Sequence, residues 1–229
     1  MSANAAGERA RERLLDAAER LIAVHGFEVS LRQIAREAGQ RNNSAVTYHF
    51  GSRAGLIEAV WDRRTERVNA RRARLLEQAQ AVDPSMDLHR LMTIHVEPMV
   101  EEIGSSLPSY WARFNQAALA QMPLMFLAHF DDDLAAYTDR EVPLRTLSYV
   151  FHLMRKSVDG GSEPNAGVHV ALAVRFVIAG LASWERDQEL GLLAPESLRP
   201  LAEGLISMGA QMLSHPHSRL GEAMGLLEI

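Results

Sequence analysis

The chain has 229 residues, 47% of them apolar, no cysteine and a formal charge of −5. That length suits a small domain plus a larger one, and the apolar content supports a sizeable core and excludes wholesale disorder; the lack of cysteine excludes a disulfide framework and a cysteine-based zinc site and fits a reducing cytoplasm. The charge is uneven: residues 1–80 hold 14 Arg against 10 Asp and Glu, and residues 81–229 hold 10 basic against 19 acidic residues, which places any polyanionic partner at the front half.

Met1 to Gly7 is small and polar, without the pattern of a secretory signal, so a cytoplasmic location is expected. Apolar residues then recur three and four apart almost throughout, the helical period, and no strand pattern competes with it. A first helix is expected from Glu8 to His25, with Leu14, Leu15, Ala18, Leu21 and Ile22 as its apolar stripe and Gly26 as its stop. Ser30-Leu31-Arg32-Gln33 fits a capping box that starts a second helix, whose inner face is Ile34, Ala35 and Ala38 and whose stop is Gly39. A short third helix runs from about Asn42 to His49, closed by Phe50-Gly51. Ser52 caps a fourth that continues to about Gln80, roughly 40 Å at 1.5 Å per residue. Further helices are expected over 86–104, with Pro98 kinking or splitting it, and over 109–121, 123–137, 140–157, 164–189 and 195–214. The stretch Val168 to Trp184 is apolar but contains His169 and Arg175, which favours a buried helix over a membrane span; no membrane partner is expected.

Three short helices within 50 residues, with a glycine turn between the second and third, describe a helix-turn-helix. Its third helix must be short, exposed and polar to enter a major groove about 12 Å wide. Arg41, Asn42, Asn43, Ser44, Ala45, Thr47, Tyr48 and His49 meet that description, with Val46 and Phe50 as inward anchors. Asn suits adenine edges, Ser reads either base type, and Arg53 stands where a phosphate would lie. Polar residues at helical spacing also describe any solvated face, so periodicity alone leaves both readings open.

The runs Arg11 to Ala18, His25-Gly26-Phe27, Leu31 to Gly39, Tyr48-His49-Phe50 and Leu56-Ile57 resemble, in order and spacing, the DNA-binding domain of the TetR family of bacterial transcriptional regulators, over about residues 8–60. The resemblance implies that Arg32, Asn43, Ser44, Ala45 and Tyr48 reach base edges, and that Ser30, Thr47, His49 and Arg53 touch phosphates or brace the third helix. Two departures stand out: Gly39 to Phe50 is one residue longer than is usual in the family, and position 47 is Thr where Tyr is usual. The expected architecture is all-α, a helix-turn-helix domain over residues 1–55 joined to a helical ligand-binding and dimerisation domain over residues 56–229.

In that second domain, Leu198, Leu201, Leu205, Met208 and Met212 form a 3-4-3-4 seam, and the preceding helix is apolar all round, with Gly180 and Ala182 permitting close approach near Trp184. These residues fit either a two-fold interface or a monomer core; the resemblance favours the homodimer, which would read a palindromic double-stranded DNA operator. Tyr110, Trp111, Phe114, Met122, Met125, Phe126 and Phe130 are candidate lining for a small, apolar effector, against the alternative of ordinary core packing. Arg175, alone in an apolar helix, is expected to meet an acidic partner, the dimer axis or the pocket. His129 beside residues 131–133 and His215-Pro216-His217 read as solvated surface and tail rather than metal sites. No Gly-x-Ser-x-Gly elbow and no Gly-rich phosphate loop occurs, so neither an enzyme nor a cofactor is expected. The leading reading is a repressor released by its effector; a ligand-independent regulator or activator, and a helical adaptor that binds protein, are the alternatives.

Overall fold

A computed structural model describes residues 3–40, 42, 44–83, 85–124, 127, 142–158 and 165–215. Among them the chain forms nine α-helices and no strand: α1 Ala3–His25, α2 Leu31–Glu37, α3 Ser44–Phe50, α4 Arg53–Val82, α5 Leu88–Gly104, α6 Trp111–Gln121, α7 Val142–Ser157, α8 Ala166–Glu189 and α9 Leu198–Ser214, with a 3-10 turn at Pro195–Ser197. The all-α expectation holds. The helix expected over 123–137 falls mostly outside the described residues.

Local signals explain the first three helices. Leu14, Leu15, Ala18 and Ile22 are fully buried, while Leu21 is only half-buried at the edge of the stripe. Gly26 closes α1 at φ 76°, a left-handed conformation that glycine adopts without a steric penalty, and donates its N–H to Ile22 at 2.8 Å. Both halves of the Ser30/Gln33 capping box form: the Ser30 N–H donates to Gln33 Oε1 at 2.8 Å, and the Gln33 N–H to Ser30 Oγ at 3.3 Å.

The fourth helix belongs to both parts of the molecule. Leu56 and Val60 complete the core of the head, against α1 and α3; Val68, Leu76 and Ala79 belong to the body, against α5 and α7. The expected division at residues 55–56 therefore falls inside one continuous helix of 30 residues. Pro98 does not split α5, which runs unbroken from Leu88 to Gly104 behind an Asp87 cap.

In the body, α6 packs on α8, and α9 packs on α5 and α8. The head is not a detached unit, because α1 also packs on α6. By length and mean hydropathy α8 passes for a membrane-crossing helix; here it lies against α6, α7 and α9, with Val170, Val174, Val177 and Leu181 buried. At Gly180 a Cβ would lie 2.6 Å from Leu205 Cδ2, so α8 and α9 approach as closely as they do because no side chain intervenes.

Candidate nucleic-acid interface and effector cavity

The third helix is held from below and bare above. Val46 is fully buried, Ala45, His49 and Phe50 are half-buried, and Ser44, Thr47 and Tyr48 face solvent. Tyr48 is 84% exposed. Its ring meets that of His49 edge-on at 4.9 Å. The Arg11 guanidinium sits 5.4 Å over the Phe50 ring and ties the closing residue of α3 to α1. Arg32 is exposed on α2.

Not every candidate contact residue is free to read DNA. Asn42 caps α3: its Oδ1 accepts the Ser44 N–H at 3.0 Å and also the Ser44 hydroxyl. The longer turn after Gly39 thus contains its own helix-start signal. Ser30 is engaged in the capping box of α2. Arg53 is half-buried, and its two terminal nitrogens donate to the carbonyls of Phe27 and Val29, fastening the α1–α2 loop to the start of α4. Arg41 and Asn43 lie outside the described residues. One residue that sequence reading missed is Arg13: exposed on α1, it borders a shallow concavity with Gln40, Asn42, Ser44, Tyr48 and His49. Its exposure was legible in the α1 periodicity; its proximity to α3 was not.

Two sets of contacts join head to body. The first is ionic. Arg63 Nη2 lies 2.7 Å from Glu19 Oε2, and Arg64 reaches both Glu19 on α1 and Glu102 on α5 at 3.0 Å. Arg67 and Arg71 add contacts to Glu102 at 2.6 and 2.7 Å. Burial of Glu102 opposes its ionisation, but the hydrogen bonds from Arg67, Arg64 and Arg71 outweigh burial and hold the carboxyl down at about 2. The second set is aromatic. Phe27, in the α1–α2 loop, meets Phe114 at 6.1 Å; Phe114 stacks on Trp111 at 5.9 Å and meets Trp61 at 6.2 Å.

Those two tryptophans border a cavity of about 240 Å³ in the body. Its apolar wall includes Val68, Met99, Leu119, Met122, Leu127, Phe151 and Ile178, and its polar groups are Thr65, Asn69, Arg72, His95 and Asn115. Of the candidate lining residues, Trp111 and Met122 border this space. Phe114 lies behind Trp111, fully buried in the aromatic stack. Tyr110 is at the surface, where its hydroxyl donates to Glu189 Oε1 at 2.7 Å. Met125, Phe126 and Phe130 lie outside the described residues, as do His129, residues 131–133, Pro216 and His217. Arg175 has no acidic partner among the described residues; it donates to the carbonyls of Leu119 at 2.8 Å and Met122 at 2.9 Å, closing the C-terminal end of α6. At the other end of α6, the buried Glu185 carboxylate accepts the N–H groups of Ala112 at 3.0 Å and Arg113 at 2.9 Å. Helix α8 thus clamps α6 at both ends.

The seam on α9 divides in two. Leu198 and Leu205 are buried inside the protomer, as is Trp184 of α8, whose indole N–H donates to Ser197 Oγ at 2.8 Å. Leu201 is half-buried, and Met208 and Met212 are 46% and 38% exposed. The neighbouring side of α8 shows half-buried Phe176 and Ala179 and exposed Ser183. Any surface for a second copy is therefore carried by Leu201, Met208 and Met212, with Gly180 and the buried leucines behind it.

A trihelical head with a bare, polar third helix, continuous through α4 with a helical body that contains a cavity, has the form of a helix-turn-helix DNA-binding protein. Residues 14–60, which span most of α1 through the start of α4, match the family model described as bacterial regulatory proteins, tetR family. No curated protein matches the chain. Over residues 14–60 the chain is similar to the DNA-binding domain of TetR-family transcriptional regulators.

Proposed function

We propose that this regulator is a cytoplasmic repressor that binds a palindromic operator as a homodimer and leaves it when a small effector occupies the body cavity. The observation that carries this reading is the contact path from cavity to head. Trp61 and Trp111 border the cavity, both rings meet Phe114, and Phe114 meets Phe27, whose carbonyl is held by Arg53 at the start of α4. A ligand that moves either tryptophan acts on the loop that sets α2 and α3. It shifts operator affinity only as far as it binds the DNA-bound and free arrangements differently.

On the DNA side, Tyr48, Ser44, Thr47 and Arg32 are the groups proposed to reach the groove, with Ala45 against a thymine methyl, and His49, Arg13 and Arg53 near the backbone. Asn42 and Ser30 act as caps that fix the two helices, and Arg41 and Asn43 are further proposed contacts to the operator. Exposed Met208 and Met212 on α9, beside Phe176 on α8, support a two-fold face of four helices.

The test is a fluorescence-anisotropy titration with duplexes tiling the DNA upstream of the coding region, at several salt concentrations, beside a scrambled duplex. Selective binding to one palindromic duplex, with log affinity falling about 0.9 per phosphate contact per log unit of salt, supports the reading. Absence of binding to every duplex at low salt overturns it.

A further inference from the structure

The cavity is apolar over most of its wall, yet it contains a cation that no acidic group neutralises among the described residues. Arg72 is 2% exposed. One of its terminal nitrogens donates to Asn69 Oδ1 and the other to the carbonyl of His95 at 3.2 Å; among the described residues no carboxylate pairs with it. Glu102, which meets other arginines of α4, is already held by Arg64, Arg67 and Arg71. Four residues of the wall also carry five buried polar atoms without a partner among the described residues: Arg72 Nε, Asn69 Nδ2, Trp111 Nε1 and both ring nitrogens of His95. Three of these atoms can only donate, and a neutral imidazole supplies one donor and one acceptor. The unsatisfied groups are thus four donors against one acceptor, gathered beside a positive charge.

Buried polar groups in folded proteins are almost always paired, and an unpaired buried charge costs several kcal/mol. A site that leaves four donors unmet, one of them on a guanidinium that no described carboxylate pairs with, is complementary to an acceptor-rich anion. We infer that the effector is an amphipathic organic anion, with an apolar body on Val68, Leu119, Phe151 and Ile178 and a carboxylate set against Arg72, Asn69 and Trp111. This rests on the effector reading above and adds the chemical class. Burial lowers the Arg72 guanidinium only to about 9, so it is charged at neutral pH. His95, lowered to about 3 by burial and by Arg72, is neutral there and adds no second positive charge. The planar guanidinium suits a carboxylate better than a spherical anion would. A cavity of 240 Å³ fits a body of about ten non-hydrogen atoms, since one of 150 Å³ holds benzene.

Three near-isosteric probes separate the possibilities: 4-phenylbutyrate, 4-phenylbutanamide and 4-phenylbutylamine, titrated into the full-length protein. The readouts are quenching of tryptophan fluorescence, to which Trp61 and Trp111 contribute, and the rise in Tm. A series of linear carboxylates, with the matching amides and amines, covers other body shapes. The expected result is that the acid binds at least about tenfold more tightly than amide or amine. Arg72→Met removes that preference and leaves amide binding in place, whereas Arg72→Lys, which keeps the charge, retains it. Equal binding of acid and amide, or preference for the amine, overturns the anion inference while leaving the cavity as the effector site. No binding by any member of any series, at millimolar concentration, overturns the effector reading together with this inference. Should Arg72→Met fail to fold, the three-probe comparison on wild type and Arg72→Lys decides alone.

Discussion

Arg64 and Glu102 lie 3.0 Å apart, and the same guanidinium reaches Glu19 at 3.0 Å. One side chain in the middle of α4 therefore joins the first helix of the DNA-binding head to the fifth helix of the body. Arginine suits this position because its planar fork serves two carboxylates at once, which a lysine ammonium does less well.

Removing the charge at Glu102 leaves three guanidinium groups facing each other without an anion. Glu102→Gln should lower the stability by roughly 3 kcal/mol at neutral pH, the equivalent of a carboxyl held from its ordinary 4.5 down to about 2. The folded-state value is depressed, so this stabilisation is present above about pH 4.5 and is lost as the pH falls towards 2. Urea unfolding at neutral pH and near pH 3 should show wild type losing stability more steeply than the variant on acidification.

Tyr48→Ala tests the bare face of α3. At 84% exposure the ring contributes little to folding, so Tm should hardly move. Operator affinity should fall by about 1–3 kcal/mol, with relaxed preference at the bases it meets. Anisotropy titrations against single-base operator variants are the check.

Arg32→Ala and Arg53→Ala should differ although both remove a basic residue of the head. Arg32 is exposed, and its loss should reduce affinity by about 1–3 kcal/mol and relax the preference at the base it meets, without unfolding anything. Arg53 holds two backbone carbonyls, so its loss should also destabilise the head, by about 1–3 kcal/mol. Circular dichroism melts alongside the titrations separate the two effects.

Phe27→Leu should break the path between cavity and head at its last ring contact, since only the Phe27–Phe114 pair reaches the α1–α2 loop among the ring contacts described. Binding of 4-phenylbutyrate, followed by tryptophan fluorescence, should persist. Its effect on operator affinity should shrink towards none. Unchanged release of operator in this variant would move the coupling to the Arg64 contacts.

Met208→Glu with Met212→Glu places two charges on the outer side of α9, where both methionines are exposed. The protomer should keep its helicity. Light scattering coupled to size exclusion should show the loss of a dimer, and operator affinity should fall with it.

By itself, the sequence determined whatever depends on neighbours three and four residues away. The stripe Leu14, Leu15, Ala18 and Ile22, the Ser30/Gln33 box and the stops at Gly26 and Gly39 act within one turn of chain, and each forms where its residues predict. The tertiary structure alone decided which of several similar residues would face which neighbour. Nothing local in the charge-dense run from Arg63 to Arg74 names its partners, yet Glu19 and Glu102, distant in sequence, collect four of its arginines. Arg72 turns into the core instead, four residues after Val68 and four before Leu76; that spacing was the available signal. Leu205 and Met208 share one heptad seam, but packing on α5 and α8 buries the first and leaves the second outside. Trp111 and Phe114 are equally aromatic, and only the first borders the cavity. Local hydrogen-bond and steric rules operate along the chain and are written in its order. The cavity and its buried guanidinium arise where α4, α5, α6, α7 and α8 converge, and no local pattern encodes how five helices meet.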